Sequence, residues 1–94
     1  MKLHVRYTAQ LRAAMGLDEE DVELPEGASL ETLLRSVAEH HGGEAASHLL
    51  TDAGQVRPSL LVVVNDAAAA PADAAATKLR PGDVVTLLPP IAGG

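Results

Sequence analysis

The chain has 94 residues, which suits one domain with a single core and leaves little room for a deep active-site cleft. It contains no cysteine, which excludes disulfides, thiolate metal sites and a cysteine nucleophile. Thirteen acidic and seven basic side chains give a formal net charge of -6, which argues against nucleic-acid binding and favours solubility or a basic partner surface. Without a long apolar run or a signal-peptide pattern, we expect a soluble, cytoplasmic protein that does not bind membranes.

The first part of the chain predicts two strands joined by a short helical turn. KLHVRYT, from Lys2 to Thr8, alternates apolar and polar residues with the period of a half-buried strand. AQLRAAM then predicts a short helical turn that ends at Gly16. DEEDVELPEG predicts a second strand around Val22 and Leu24, and its four consecutive carboxylates are typical of a solvated turn. Two early strands with a modest connection suggest a hairpin.

The main helix is predicted to start after Ser29, a residue favoured at the N-cap. One apolar stripe at helical spacing follows, made of Leu30, Leu33, Leu34, Val37, Ala38 and His41. Gly42 and Gly43 then provide the left-handed cap that ends such a helix. EAASHLL predicts a second short helix.

The second half of the chain predicts three strands. SLLVVV, up to Val64, does not alternate, so both faces of this strand are predicted to be apolar, as at the centre of a sheet. AAAAPADAAAT has little periodicity, and its Pro71 favours a weak edge strand followed by a loop over a continuous helix. RPGD predicts a tight turn before the last strand, VVTLL. This order of elements predicts an α+β fold with one main helix on one face of a sheet.

One helix covers only one face of such a sheet, although two of the strands are apolar on both faces. We therefore expect an exposed apolar patch that docks partners, with Leu61, Val63, Val85 and Leu87 as its residues. The alternative is that the alanine-rich segment and the short helix cover that face.

No motif in the chain predicts catalysis. EHH at the helix end, with His48 seven residues on, lacks the convergent geometry of a metal site, because adjacent helical residues point about 100° apart. The serines have no nucleophile motif, and the glycines form no phosphate-binding loop. We therefore expect no metal site.

The chain ends in LLPPIAGG. The two prolines fix φ and end the sheet pairing, and six extended residues reach at most about 20 Å. We predict a globular domain over residues 1–88 and a flexible tail over 89–94, whose last two residues fit a channel too narrow for any Cβ.

The segment RPGDVVTLLPPIAGG resembles the C-terminal signature of the small sulfur-carrier family, the MoaD/ThiS group of ubiquitin-like β-grasp proteins. VRYTAQLRAAMG is similar to the family's first strand and following turn, particularly in the small subunit of molybdopterin synthase. VELPEGASLETLLRSVAEHHG resembles its second strand and helix, and LLVVVND its central strand and turn. AAAAPADAAAT departs from the family pattern, because it is longer than the usual connection there. The resemblance implies a β-grasp fold with a mixed sheet of about four to five strands.

The resemblance also implies a chemistry for the tail. An E1-like ATP-dependent activating enzyme would adenylate the terminal carboxylate of Gly94, and a sulfur donor enzyme would then convert it to a thiocarboxylate. Gly93 would allow close approach, and Pro90, Ile91 and Ala92 would help to seat the tail. The chain itself would bind no cofactor, since ATP is used by the activating enzyme. It would then be a protein co-substrate rather than an enzyme, at most the small non-catalytic subunit of a sulfur-transferring synthase.

The sulfur acceptor implied first is the large subunit of molybdopterin synthase or an equivalent acceptor synthase. Relatives with similar tails supply sulfur for cysteine, thiamin, thiolated tRNA or natural products. A ubiquitin-like protein modifier would use the same activated Gly94 to form an isopeptide bond with a lysine. A plain interaction domain, in which the glycines have no role, is the third alternative.

Overall fold

The computed structural model describes residues 1–88. They form one five-stranded mixed sheet with helices packed on one face, which confirms the predicted α+β class. The strands are β1 Lys2–Tyr7, β2 Glu19–Glu23, β3 Leu61–Val64, β4 Ala67–Ala69 and β5 Val84–Leu88. The helices are α1 Ala9–Met15, α2 Leu30–His41, α3 Gly43–Leu49 and a 3-10 helix over Pro71–Ala76.

The sheet has the strand order β2-β1-β5-β3-β4. β1 and β2 form the predicted antiparallel hairpin, whereas β1 and β5 run parallel. β3 lies antiparallel between β5 and β4, so it is an interior strand, but the central strand is β5. The alanine-rich segment supplies the weak edge strand that its composition predicts, followed by the 3-10 helix.

Helix α2 forms where the apolar stripe predicts it. The Ser29 hydroxyl accepts a hydrogen bond from the Thr32 amide, which satisfies one free N–H group of the first turn. Gly42 ends α2 with φ 65° and ψ -175°, a region that is essentially reserved for glycine. α3 begins at the next residue, so one glycine separates the two helices.

The core lies between the sheet and the helices. Its large, fully buried side chains are Leu3, Val5, Leu11, Leu30, Leu33, Leu34, Val37, Leu49, Leu60, Val85 and Leu87. The alternating residues of β1 and β5 therefore point toward α2, and the other face of the sheet is not covered by these helices. None of the helices within residues 1–88 is long and apolar enough to cross a membrane.

The acidic segment at the start of β2 was predicted to be a solvated turn, and the structure corrects this. Glu19, Glu20 and Asp21 are the first three residues of β2 and pair with β1. Because side chains alternate along a strand, Glu20 turns toward the helices while its two neighbours remain on the open face.

Candidate functional site

The predicted tail follows directly on the central strand of the sheet. β5 pairs with β1 on one side and with β3 on the other, up to the pairs Tyr7–Leu87 and Leu61–Leu88. The residues that carry the predicted chemistry come next, and all of them lie outside the described residues; they are Pro90, Ile91, Ala92, Gly93 and Gly94. Their roles in threading and activation therefore stay predictions.

One half of the open sheet face is charged. The register places Lys2 opposite Glu23 and Arg6 opposite Glu19. His4 lies between two carboxylates, with Nδ1 2.9 Å from Oδ1 of Asp21 and Nε2 3.1 Å from Oε1 of Glu19. The hydrogen bond from His4, with the nearby charge of Lys2, holds the pKa of Asp21 below its ordinary value. Alternating charges of opposite sign thus cover β1 and β2.

The other half of the open face is apolar. Cross-strand pairing places Leu61 beside Leu88, and Val63 beside both Thr86 and Ala68. Leu61 is 49% exposed, the one large hydrophobic side chain exposed among residues 1–88. Leu61, Val63, Ala68 and Leu88 line a groove of about 520 Å3 that extends to Pro71. This apolar groove therefore lies next to the residue from which the tail begins.

Only half of the predicted docking residues lie on this surface. Leu61 and Val63 do, and their docking role stays a prediction. Val85 and Leu87 are both 0% exposed and point into the core, so they cannot contact a partner in the folded protein. The reason is the antiparallel register, which pairs Leu87 with Val62 and Val85 with Val64, since cross-strand partners share a face.

A strained corner, made of Thr8 and Ala9, lies on the β1 side of the tail root, which we define as Leu87 and Leu88, the last two residues of β5. Thr8 occupies the N-cap position of α1, but its side chain makes no cap hydrogen bond. Instead, the Thr8 hydroxyl donates to the carbonyl oxygen of Leu87 at 3.2 Å. Ala9, the first residue of α1, has φ 48°, a left-handed conformation that costs an L-residue about 1–2 kcal/mol.

A hydrogen-bonded cluster joins β1, β2 and α2 next to this corner. The Tyr7 hydroxyl donates to Oε2 of Glu20 at 2.5 Å, and Nε2 of His41 lies 2.6 Å from the same oxygen. Burial raises the pKa of Glu20, but the hydrogen bonds from Tyr7 and His41 outweigh it and hold the pKa below its ordinary value. Burial, followed by the bond to Glu20, raises the pKa of Tyr7, so the phenol stays protonated.

Sequence reasoning placed His41 on the inner face of α2 but missed Glu20. The side chains of His41 and Glu20 are only 15% and 18% exposed. The signal that could have found Glu20 is its spacing of two from Val22, on the core side of a strand. Within residues 1–88, no group of three or more histidine or acidic side chains is arranged to hold a metal ion.

Comparison with known proteins identifies the family. The model of the ThiS family matches residues 5–94 of the chain. The protein belongs to the ThiS family. The match includes both β5 and the Gly93–Gly94 dipeptide.

Two relatives align with this ThiS-family protein along its entire length. Small archaeal modifier protein 3 from Haloferax volcanii is 33% identical over 94 residues, which is 100% of both chains. The molybdopterin synthase sulfur carrier subunit from Chlamydomonas reinhardtii is 32% identical, again over 100% of both chains. The protein is thus part of a family of ubiquitin-like sulfur carriers and modifiers.

A solved structure agrees with the fold. The crystal structure of SAMP1 from Haloferax volcanii superposes with a TM-score of 0.85 and covers 100% of both chains, at 24% sequence identity. The likeness confirms the predicted ubiquitin-like β-grasp architecture.

Proposed function

We propose that this ThiS-family protein is a sulfur carrier that is activated on the carboxylate of Gly94. The observation that carries the proposal is the Gly93–Gly94 end, which lies within the family match and follows the central strand β5. The identity of 32% with a molybdopterin synthase sulfur carrier subunit favours molybdopterin synthesis as the destination of the sulfur.

The proposed chemistry takes place at the tail, in sites that partners provide. An oxygen of the Gly94 carboxylate attacks the α-phosphorus of ATP in an E1-like activating enzyme, and pyrophosphate leaves. Sulfur at the oxidation level of sulfide, supplied by a donor enzyme, then attacks the carbonyl carbon of Gly94, AMP leaves with the carboxylate oxygen, and a thiocarboxylate remains. The sulfur of this group is an effective nucleophile for the same reason that a thiolate is one. The chain binds no cofactor in this scheme and acts as a co-substrate.

The open sheet face supports docking close to the tail. Leu61 and Val63 present apolar surface next to Leu88, so a partner that binds this face also lies near the tail root. Acceptor synthases, such as the large subunit of a molybdopterin synthase, are the proposed partners besides the activating enzyme and the sulfur donor.

A second candidate function is protein modification. The 33% identity with a small archaeal modifier protein supports protein modification as strongly as the 32% identity with a sulfur carrier subunit supports the carrier function. In this reaction the amine of a partner's lysine attacks the activated carbonyl carbon of Gly94, AMP leaves, and an isopeptide bond forms. Both functions share the adenylation of Gly94 and differ in the nucleophile.

Intact-mass measurement separates the two functions. The protein ending at Gly94 is incubated with a family activating enzyme, ATP and a sulfur donor, and a gain equal to replacing one oxygen by sulfur is expected on Gly94. Lysine-linked conjugates in extract, without this gain, would instead support the modifier. An unchanged mass beside a working positive-control carrier, with no conjugates, would contradict both.

The variant Gly94→Ala tests whether the tail enters a channel too narrow for a Cβ. It should leave the unfolding temperature unchanged, because terminal residues contribute few contacts. It should strongly reduce activation, because the added Cβ would enter a channel that only glycine fits. Normal activation of this variant would contradict the narrow-channel model.

A further inference from the structure

The end of the central strand is held on both sides just before the tail begins. On the β3 side, Leu88 pairs with Leu61. On the β1 side, the ladder register ends at the pair Tyr7–Leu87. One residue further, the Thr8 hydroxyl donates to the Leu87 carbonyl oxygen. A side-chain bond therefore continues the β1–β5 connection at the place where β1 itself turns away into α1.

The neighbouring helix α1 begins without the usual cap and with a strained residue. A threonine at an N-cap usually accepts a hydrogen bond from an amide of the first helical turn, and Thr8 does not. The following residue, Ala9, adopts a left-handed φ of 48°, although it has a Cβ. Strained residues of this kind persist where the surrounding structure demands them, and they cluster at functional sites.

We propose that Thr8 is a positioning residue that fixes the direction in which the C-terminal tail leaves the sheet. The inference rests on the proposed function, because it concerns delivery of the Gly94 carboxylate to an activating enzyme. The Gly94 carboxylate lies six residues beyond Leu88, so the Leu87–Leu88 peptide group sets where the chain leaves the sheet and in which direction it sets out. Fixing the root increases the fraction of bound complexes in which the carboxylate is correctly placed for attack.

The test compares three variants, of which two lose a threonine hydroxyl group and one keeps it. Thr8→Val removes the hydroxyl and keeps the β-branched shape, whereas Thr8→Ser keeps the hydroxyl. Thr77→Val is the matched control, because the Thr77 hydroxyl also donates to a backbone carbonyl, that of Asp73, at 2.9 Å. Thr77 and Thr8 are both half-buried, and Thr77 belongs to a different part of the chain from the strand that leads to the tail.

Steady-state pyrophosphate release by a family activating enzyme, with a sulfur donor present to consume the adenylate, is the first readout. We expect Thr8→Val to lower kcat about two- to tenfold, the range that corresponds to one hydrogen bond, with little change in KM. KM should not change, because the proposed docking residues Leu61 and Val63 are untouched by the substitution. Thr8→Ser should restore kcat, and Thr77→Val should match the wild type. Equal losses in Thr8→Val and Thr8→Ser, or in Thr8→Val and Thr77→Val, would overturn the proposal.

A second readout needs no enzyme. Amide hydrogen exchange at Leu88 should be faster in Thr8→Val than in the wild type and in Thr77→Val, because the end of β5 opens more often. Unchanged exchange at Leu88 would overturn the proposal whatever the kinetics. If the wild-type protein is not adenylated at all, the proposed function fails, and the exchange comparison then decides by itself whether Thr8 holds the tail root.

Discussion

At the scale of single residues, Glu20 connects three elements of the fold through one carboxylate oxygen. Tyr7 of β1 and His41 of α2 both bond to Oε2, so the end of the main helix is tied to the edge of the sheet. A carboxylate that is mostly removed from water keeps its charge only when it has such partners. The cluster therefore stabilises the fold only while it is complete.

We predict that Glu20→Gln lowers the free energy of unfolding by about 1–3 kcal/mol, since two hydrogen bonds to a charged acceptor are weakened or lost. Urea denaturation measures the difference. Glu23→Gln is the matched control, because Glu23 lies on the same strand with a side chain that is 71% exposed. The control should change stability by less than about 0.5 kcal/mol. Equal losses in the two variants would show that the cluster adds nothing.

The same residue predicts a dependence of stability on pH. The pKa of Glu20 is lowered in the folded state, so the unfolded chain binds more protons as the pH falls below the ordinary value of 4.5. The extra stability of the wild type over Glu20→Gln should thus be present above that value and decrease as acid titrates the folded carboxylate. Unfolding free energies at about pH 6 and about pH 3 test this. A constant difference between the two proteins would contradict the lowered pKa.

At the scale of elements, the two helix caps with positive φ differ in kind. Gly16 ends α1 with φ 79° and ψ 11°, close to the left-handed helical region that other residues occasionally adopt. Gly42 ends α2 with ψ -175°, where any Cβ is strongly disfavoured. At both positions an added Cβ would meet no atom within 4 Å, so substitution changes the backbone energy alone.

We therefore predict that Gly42→Ala destabilises the fold more than Gly16→Ala does. The expected losses are about 1 kcal/mol at Gly16 and about 2–3 kcal/mol at Gly42. Thermal or urea unfolding of both variants measures the difference, and each variant serves as the other's control. A larger loss at Gly16 would show that the junction between α2 and α3 adapts to the new residue.

Elements with a strong local pattern were predictable from the sequence. The stripe from Leu30 to Ala38 and the Ser29 cap defined α2, because the period of 3.6 leaves one face for the core. The faces of β3 and β5 were not predictable, because both strands are apolar at nearly every position. Their exposed and buried sides depend on the register Val62–Leu87, which long-range pairing sets, and a shift of one residue would exchange them.

At the scale of the whole molecule, one face of the sheet is buried and stabilises the fold, and the other face is available to bind partners. Leu87 is 0% exposed in the core, whereas Leu61 is 49% exposed beside the tail root. We predict that Leu87→Ala costs about 2–5 kcal/mol of stability, and that Leu61→Ala costs less than about 1 kcal/mol. Urea denaturation tests this, and comparable losses would contradict the assignment of faces.

Leu61→Ala should instead weaken binding to the activating enzyme. If Leu61 is one of the few side chains that dominate the interface, its truncation costs more than about 1 kcal/mol, which corresponds to at least roughly a fivefold increase in Kd. Calorimetric titration measures it. Lys78→Ala is a suitable control, because Lys78 is exposed, lies outside the five strands and does not line the groove. Unchanged affinity in Leu61→Ala would show that partners bind elsewhere.

The outermost strands of the sheet have a consequence for how the protein behaves when it is crowded. An unpaired strand edge invites neighbouring chains to add to it, and long, flat, apolar edges are the most prone to such aggregation. Here the outer strand β2 carries the exposed acidic residues Glu19, Asp21 and Glu23, and the outer strand β4 is only three residues long. The charges of β2 and the shortness of β4 make both margins poor templates, so we expect the domain to resist edge-to-edge aggregation even though Leu61 exposes apolar surface.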